Sequence, residues 1–505
     1  MGIYRTIPQR SKEPPANILN RWKRDGTSAW IPYILFYTVL ANLPFWAASR
    51  WLAISPNGWF CLDYIAIGLV ALYLPRFVGS ALLLLAIAVD LVAGVCETYF
   101  LPVSQCFTNL GAMRQFSASR LTAVTAVLIL ILLAGAAGLF LPAIVPKKHR
   151  IRSAAWLLLF AIVSLSIDSA ILWLRTGSIP GFLVPGRSFQ SAVEASYLPD
   201  LHFSRLPAFR LIRRKLYPAP NGLPMRNATA LALSAAGNIA AKNRQELPNL
   251  VVILVESWGL DTESAVSDAL IRPYSDPQLR ARYQVLQGEV PFAGPTLGGE
   301  SRELCGSTMA FDVEIASAKE LQACLPDRLA ARGYHAVAIH GMWAEMFDRS
   351  KWYKTIGFQE TWFLGQFKDQ GLPTCNGAFW GICDAAIADW MGQRLEKNKP
   401  DPEFLYWVTL NSHLPVLVPN PLKSPADCSF TPSLAQQPSL CSWYQLIANV
   451  HHSAAVLAMS NLARPTIFVI VGDHAPPFSD PFLRDKFSQS LVPYVILVPR
   501  RQQPK

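Results

Sequence analysis

The sequence predicts a protein in two dissimilar parts. An N-terminal all-α transmembrane bundle of five helices comes first. An α/β domain follows, with a mostly parallel sheet covered by helices on both faces. Three distributions carry this expectation. Long apolar runs are confined to the stretch before about Leu174, short apolar runs separated by helical patterns begin at Asn249, and Lys, Arg and Cys divide unevenly between the two. Hydrophobic residues make up 51% of the 505 and charged residues 16%. That composition excludes a disordered chain and does not suit an ordinary water-soluble enzyme.

Residues 1–29 read as a cytoplasmic tail carrying Arg5, Arg10, Lys12, Arg21, Lys23 and Arg24. Residues 30–175 read as the membrane domain, built from the runs Trp30–Trp51, Phe60–Leu74, Phe77–Leu101, Leu121–Ile144 and Ala154–Leu174. A hydrocarbon core needs roughly 20 apolar residues of helix, and four of the runs reach that length. The second is short, but Trp59, Phe60 and Arg76 could anchor its ends. A cleaved signal peptide does not fit a long first run followed by four more. Lys147, Lys148, Arg150 and Arg152 lie between runs four and five, and Arg76 lies between runs two and three. With the basic tail, all fall on one side on an odd–even count, which is the cytoplasmic side. The loop Ile54–Trp59 holds no Lys or Arg, and the loop after run three holds only Arg114 and Arg120. Five crossings then put everything after Arg175 outside. Asp90 and Asp168 sit inside predicted spans, where acids are costly. Neither has a recognisable cationic partner at depth, so bonds to Ser, Thr or backbone within the bundle are expected.

Residues 176–248 read as an interfacial linker. They are rich in Pro, and Arg205, Arg210, Arg213, Arg214 and Lys215 alternate with Phe203, Leu206, Phe209, Leu211, Ile212, Leu216 and Tyr217. Cations at headgroups with apolar side chains in the lipid boundary explain that interleaving. Nucleic acid is not an expected partner for a segment that faces outside. Cys61, Cys96 and Cys106 lie in or near the membrane part, and Cys305, Cys324, Cys375, Cys383, Cys428 and Cys441 in the outer part. An even number outside suggests up to three disulfides in an oxidising compartment. Six Cys allow 15 pairings; short loops favour Cys375–Cys383 and Cys428–Cys441, leaving Cys305–Cys324. A zinc site is the rival, but no C-x-x-C pair occurs here.

Residues 249–505 read as the catalytic α/β domain. Leu250–Val255, His335–Ile339, Phe404–Leu410, Thr466–Val471 and Tyr494–Val498 are continuous apolar runs, as buried parallel strands require. Helical patterns lie between them, including Glu320–Arg332 and Asp384–Leu395. In such sheets ligands bind beyond the carboxyl ends of the strands. Four runs end there in Glu256, His340, Asn411-Ser412-His413 and Gly472-Asp473-His474. Glu256, Asp473 and His474 offer hard oxygen and imidazole donors suited to zinc or manganese. Gly294-Pro295-Thr296-Leu297-Gly298-Gly299-Glu300-Ser301 lies between the first two runs. Its glycines allow close backbone approach to a ligand. Thr296 could bind the metal and attack phosphorus, with Ser301 as rival nucleophile, or it could merely cap the next helix.

These motifs, in this order, resemble the alkaline phosphatase superfamily, and within it the lipoteichoic acid synthase and phosphoglycerol transferase branch. The branch has a strand ending in Glu-Ser, here Glu256-Ser257, and a G-x-T-x-x-x-E motif, here Gly294, Thr296 and Glu300. Its L-P-x-x-L, G-Y and H-G landmarks match Leu325-Pro326-Asp327-Arg328-Leu329, Gly333-Tyr334 and His340-Gly341. Arg349 precedes Tyr353-Lys354-Thr355-Ile356-Gly357-Phe358, as in the branch's Y-K-x-x-G-F. Thr409, His413 and Pro415 match T-x-x-x-H-x-P, and Gly472-Asp473-His474 matches G-D-H. Five membrane helices ahead of the enzyme match as well.

The resemblance implies a sulfatase-like fold and one divalent metal, Zn or Mn, held by Glu256, Thr296, Asp473 and His474. Thr296 would be the nucleophile. His340, Arg349 and His413 would surround the substrate phosphate with Glu300 nearby, and His413 could protonate the leaving oxygen. Two positions depart from the branch: Phe347 stands where Trp is frequent, and His452-Ser453-Ala454 where Tyr-x-Asp is frequent. Sulfatases use C-x-P-x-R, matched literally by Cys324-Leu325-Pro326-Asp327-Arg328. Those residues coincide with the L-P-x-x-L helix, so Cys324 is expected in a disulfide. The expected protein is a multi-pass enzyme of a bacterial inner membrane with its catalytic domain in the periplasm. It would move a phosphoglycerol or phosphoethanolamine headgroup from a membrane phospholipid, through Thr296, to a glycan or lipid acceptor. A phosphodiesterase or sulfatase-like hydrolase on the same site, and an inactive lipid-binding regulatory module, are the alternatives.

Overall fold

The computed structural model describes residues 30–52, 54, 58–98, 118–176, 203–208, 224–237, 247–308, 324–414, 426–478 and 480–500. The basic tail, Cys96, Cys106, Arg114, Arg120, Pro415, and Arg210, Arg213, Arg214 and Lys215 of the linker lie outside the described side chains.

The apolar region folds as helices α1 (Ile31–Thr38), α2 (Leu43–Leu52), α3 (Leu62–Ala71), α4 (Arg76–Thr98), α5 (Ala118–Ile144) and α6 (Arg150–Thr176). A short 3-10 turn, Leu40–Asn42, joins α1 to α2. Among the described residues four stretches are long and apolar enough to cross a membrane: Ile31–Leu52, Arg76–Val95, Leu121–Ile144 and Lys147–Ile171. The expected fifth, Phe60–Leu74, is corrected: it yields only α3. At 1.5 Å per residue, α3 is about 15 Å long, half of a hydrocarbon core. At one end of the bundle Trp30 stacks on Trp156, and the Arg152 guanidinium lies 4.7 Å from the Trp30 ring. At α3's start, Phe60–Cys61 pairs in parallel with Ser204–Arg205 of the linker.

That pairing corrects two further expectations. Asp168 does bond to backbone, accepting from the amides of Phe203 and Ser204, but Asp90 has a cationic partner, Arg205, at 2.7 Å. Arg205 itself is 2% exposed. It is buried among helices rather than spread on a surface, with its charge paired to the Asp90 carboxylate there.

The second part is built on strands β1 (Asn249–Val255), β2 (Tyr283–Pro291), β3 (His335–His340), β4 (Glu360–Trp362), β5 (Thr374–Asn376), β6 (Trp380–Ile382), β7 (Glu403–Val408), β8 (Thr466–Gly472) and β9 (Leu491–Pro499). The main sheet runs β2-β9-β8-β1-β7-β3-β4. β8, β1, β7, β3 and β4 are parallel, and the antiparallel pairs β8–β9 and β9–β2 form one edge. All five apolar runs became strands. β2 and β4 were missed because β2 carries Gln284, Gln287, Gly288 and Glu289 on a half-exposed edge and β4 is three residues long.

Both faces are covered, as a parallel sheet demands. Val251, Ile253 and Val255 point into one core, with α10 (Asp384–Leu395) and α11 (Pro438–Met459) over it. Leu250, Val252 and Leu254 point into the other, under α7 (Ala228–Ala236), α8 (Thr296–Cys305) and α9 (Arg349–Thr355). Of the expected helix Glu320–Arg332, the structure shows Leu325–Ala330, and residues 320–323 are not described. The disulfides are Cys305–Cys324, Cys375–Cys383 and Cys428–Cys441, the pairing expected from loop length.

Ile253 is fully buried on the central strand. Ile253→Ala is expected to lower stability by about 2–5 kcal/mol, read as a lowered denaturant midpoint of the purified chain.

Candidate active site

Adjacent parallel strands β1 and β8 end in register at Val255 and Gly472. Glu256 and Asp473 therefore leave the sheet side by side. Ser257 bends the first strand's exit with φ +59°, a left-handed conformation that costs a non-glycine residue about 1–2 kcal/mol. Its contacts repay that: its amide donates to Asp473 Oδ1 at 2.7 Å and its hydroxyl to Glu256 Oε1 at 2.8 Å. Its carbonyl accepts from the Trp443 indole at 2.8 Å. The Glu256 amide donates to Thr409 Oγ1, and its carbonyl accepts from Ser412. The acid is fixed from both sides.

Glu256, Asp473 and His474 each present a ligand atom within 4.8 Å of the others, and all are buried. The carbonyl of Ala475 lies 2.8 Å from His474 Nδ1. A carbonyl only accepts, so Nδ1 carries the proton and Nε2 the lone pair. That lone pair lies 3.4 Å from Glu256 Oε1 and 3.3 Å from Asp473 Oδ2. Asp473 Oδ2 is buried and accepts no hydrogen bond among the described residues. Burial first, and Glu256 second, hold the Asp473 carboxyl well above its ordinary range. Burial also raises Glu256, but His413 and His474, with the Ser257 and Thr296 hydroxyls, outweigh it and bring it below the usual value. Two carboxylates and an imidazole lone pair facing one another repel unless a cation sits between them. The donor set therefore fits a divalent metal.

Thr296 is the first residue of α8, after Pro295 at the cap position, and its hydroxyl donates to Glu256 Oε2 at 2.9 Å. It is not a helix cap. The helix N-terminus favours negative charge at this oxygen. Ser301, the rival nucleophile, is fully buried and donates to the Ser307 carbonyl. The glycines serve protein packing: a Cβ on Gly298 would meet the Ala293 carbonyl oxygen at 1.8 Å, and one on Gly299 would meet Asp473 Cα at 2.9 Å.

Arg349 opens α9, preceded by Phe347 and Asp348 at φ +56° and +53°. Its Nε and Nη2 donate to Glu300 Oε1 at 3.0 and 2.5 Å, and the Tyr353 hydroxyl donates to Glu300 Oε2. Glu300 is fully buried. Both of its oxygens are taken by Arg349 and Tyr353. Breaking such a buried pair costs about 3–5 kcal/mol. Arg349 Nη1, also buried, has no hydrogen-bond partner among the described residues.

His340 ends β3 with Nδ1 2.9 Å from the Val408 carbonyl. Burial, then Arg349, pushes its pKa down to about 3, so the ring is neutral and its lone pair is on Nε2. His413 Nδ1 faces the Leu414 carbonyl, and its Nε2 lies 4.0 Å from Glu256 Oε1.

Three supporting residues escaped the sequence reading. Arg302 is buried on α8 and reaches the carbonyls of Pro291, Gly472 and Asp473 at 2.6–3.4 Å, with Glu303 as counter-ion at 2.7 Å. Asp384 accepts from the amides of Leu410 and Asn411 and so shapes the loop that carries His413. Tyr353 was noted only as part of a motif. For Arg302 the available signal was its place six residues after Thr296; for Asp384 there was none.

A mostly parallel α/β sheet with an acid–imidazole cluster and a helix-borne hydroxyl at its strand ends defines the class. Residues 248–505 match the sulfatase family, and the chain belongs to it. Cys324 of its literal C-x-P-x-R is engaged in the disulfide with Cys305.

Similar solved structures include an alkaline phosphatase superfamily protein from Vibrio parahaemolyticus, at 16% identity and TM-score 0.37 over 55% of this chain and 70% of that one. The Streptococcus pyogenes phosphoglycerol transferase GacH is 17% identical, with TM-score 0.35 over 53% and 73%. The Listeria monocytogenes lipoteichoic acid synthase LtaP is 13% identical, with TM-score 0.35 over 55% and 72%. No curated protein matches the chain.

Gly299→Ala pushes against Asp473 without touching a ligand atom directly. It is expected to weaken metal binding about 10–100-fold, measured by titrating zinc or manganese into the chelator-treated protein.

Proposed function

We propose that this chain is a membrane-anchored, metal-dependent phosphotransferase. It carries phosphoglycerol or phosphoethanolamine from a phospholipid through Thr296 to a hydroxyl acceptor, a glycan or a lipid. Residues 30–175 would be the membrane domain of a multi-pass protein of the bacterial inner membrane, 176–248 its linker and 249–505 the periplasmic catalytic domain. The observation that carries the reading is the Thr296 hydroxyl, placed on the first residue of a helix and hydrogen-bonded to Glu256 of the metal-ligand cluster. The three disulfides fit an oxidising compartment.

Glu256, Asp473, His474 and Thr296 would hold the ion, Zn or Mn, which would supply Lewis-acid polarisation; the Thr296 hydroxyl gives its proton to solvent before the cycle begins and acts as an alkoxide throughout it. Thr296 Oγ1 attacks the phosphodiester phosphorus. A P–O bond to Thr296 forms, and the P–O bond to diacylglycerol breaks. His413 gives its Nε2 proton to the departing oxygen and, in the second step, takes one from the acceptor hydroxyl as it attacks phosphorus and frees Thr296. Arg349, held by Glu300, turns Nη1 to a phosphoryl oxygen. Neutral His340 accepts through Nε2, which suits a headgroup hydroxyl or ammonium better than a phosphate oxygen.

After incubation with mixed phospholipids, mass spectrometry of the Thr296 peptide is expected to show an adduct of about 154 Da for phosphoglycerol or about 123 Da for phosphoethanolamine. Thr296→Ala is expected to cut transfer about a thousandfold or more. An unmodified Thr296 beside a modified Ser301 or Cys324, or undiminished transfer by the Ala variant, overturns the reading.

A further inference from the structure

Three helices of the apolar bundle turn a carboxylate toward one six-residue piece of the linker. Asp168 of α6 accepts from the amides of Phe203 and Ser204 at 2.7 and 2.9 Å. Asp63 of α3 accepts from the Ala208 amide at 2.9 Å. Asp90 of α4 takes Arg205 through Nε, at 2.9 Å to each oxygen, and through Nη2 at 2.7 Å, while the Tyr64 hydroxyl donates to the same carboxylate at 2.6 Å. The rest of the guanidinium is satisfied as well. Nη2 donates to Asn42 Oδ1 at 2.9 Å, and Nη1 to the carbonyls of Gly58 and Trp59 at 3.2 and 2.8 Å. Its Cζ lies 3.9 Å from the centre of the Phe45 ring. Gly58 (φ +95°) lets the two backbones touch, since a Cβ there would meet the Ser204 carbonyl oxygen at 2.1 Å.

Asp90 and Asp168 lie within the stretches Arg76–Val95 and Lys147–Ile171 that are apolar enough to span. Ser204 and Arg205 are therefore sunk beside helices, next to the start of the half-length α3. An ionised acid at that depth costs several kcal/mol without a partner. These two acids, and Asp63 on the half-length α3, are answered here by one segment, one of the three by a cation and two by backbone amides.

The next described part of the linker is attached elsewhere. The Met225 amide donates to the Gly306 carbonyl at 2.7 Å, and Pro224 bridges to Ser307. Glu303 accepts from the Thr229 amide and hydroxyl at 2.9 and 2.7 Å. Glu303 belongs to α8, the helix that begins with Thr296. Between Ala208 and Pro224 the chain reaches at most about 55 Å at full extension.

Resting on the phospholipid reading above, we propose that residues 203–208 are a re-entrant tether. Arg205, locked on Asp90, fixes the linker in the bundle and so keeps the nucleophile helix within reach of donors in the same membrane. Arg205 is a positioning residue. It acts on access to lipid-borne substrate and leaves the chemistry at Thr296 untouched.

The full-length protein in liposomes of phosphatidylglycerol and phosphatidylethanolamine provides the test. Turnover of those lipids and of water-soluble bis(p-nitrophenyl) phosphate is measured in parallel. Arg205→Ala is expected to lower kcat/KM for the lipid at least tenfold and to leave turnover of the soluble diester within twofold. Hydrogen exchange of the 203–208 amides, which needs no activity, is expected to be slow in the wild type and fast in Arg205→Ala. Arg205→Lys, which keeps the charge, is expected to recover at least half of the protection and of the lipid turnover. Equal loss of both activities, no loss of either, or amides already unprotected in the wild type overturns the tether. If the wild type shows protected amides and cleaves the soluble diester but no phospholipid, the phospholipid reading fails and takes the tether's role in access with it, while the docked geometry stands.

Discussion

Two carboxylates and an imidazole lone pair are forced together at the carboxyl ends of neighbouring parallel strands. Left alone, Glu256, Asp473 and His474 would push apart; the fold holds them within 4.8 Å of one another. Much of the surrounding structure serves that end. Ser257 adopts a left-handed conformation so that its amide and hydroxyl reach one acid each. Gly299 lets α8 pack on the backbone of Asp473, and Arg302 ties the same helix to the carbonyls of Gly472 and Asp473. A site pre-stressed in this way is complementary to positive charge and gains most from a cation that takes both acids and the imidazole at once.

A second buried pair keeps its own charge separate. Glu300 takes Arg349 through two nitrogens and leaves Nη1 without a hydrogen-bond partner among the described residues. Arg349 lies four residues before Tyr353 on α9, and Tyr353 occupies the other oxygen of Glu300. The guanidinium is thus oriented before any ligand arrives, which lowers the ordering cost of binding an anion. Thr296 and Glu300 are one helical turn apart on α8, so a single element places the Thr296 hydroxyl beside one network and the Glu300 carboxylate in the other.

The bundle shows the same economy of charge. Asp63, Asp90 and Asp168 are each matched to a linker segment, and the partner of Asp90 comes from 115 residues away. The linker then runs on to contacts with the end of α8. Bundle, linker and the helix that begins with Thr296 form one covalent and hydrogen-bonded sequence of attachments.

The apolar anchor, the five buried strands, the disulfide pairing and the polar residues at strand ends are all legible in the sequence. Each of these is a local signal: run length, loop length, or position after a run. The sequence pointed to Glu256, Asp473 and His474 together because a parallel sheet collects strand ends on one edge, whereas Thr296 joined them only through the family resemblance. It overestimated α3, since Phe60–Leu74 is apolar throughout and hydropathy does not register where a helix stops. The contacts of Glu300 with Arg349 and Tyr353 were not legible, because spacing gives proximity to Thr296 but not the direction of a side chain. Arg205 read as an interfacial cation, and Asp90 as unpartnered, because each is ordinary alone. Only the tertiary structure brings them together, and the reason is physical: a charge in an apolar interior is tolerated when its counter-charge is folded against it, and that pairing has no trace in local sequence.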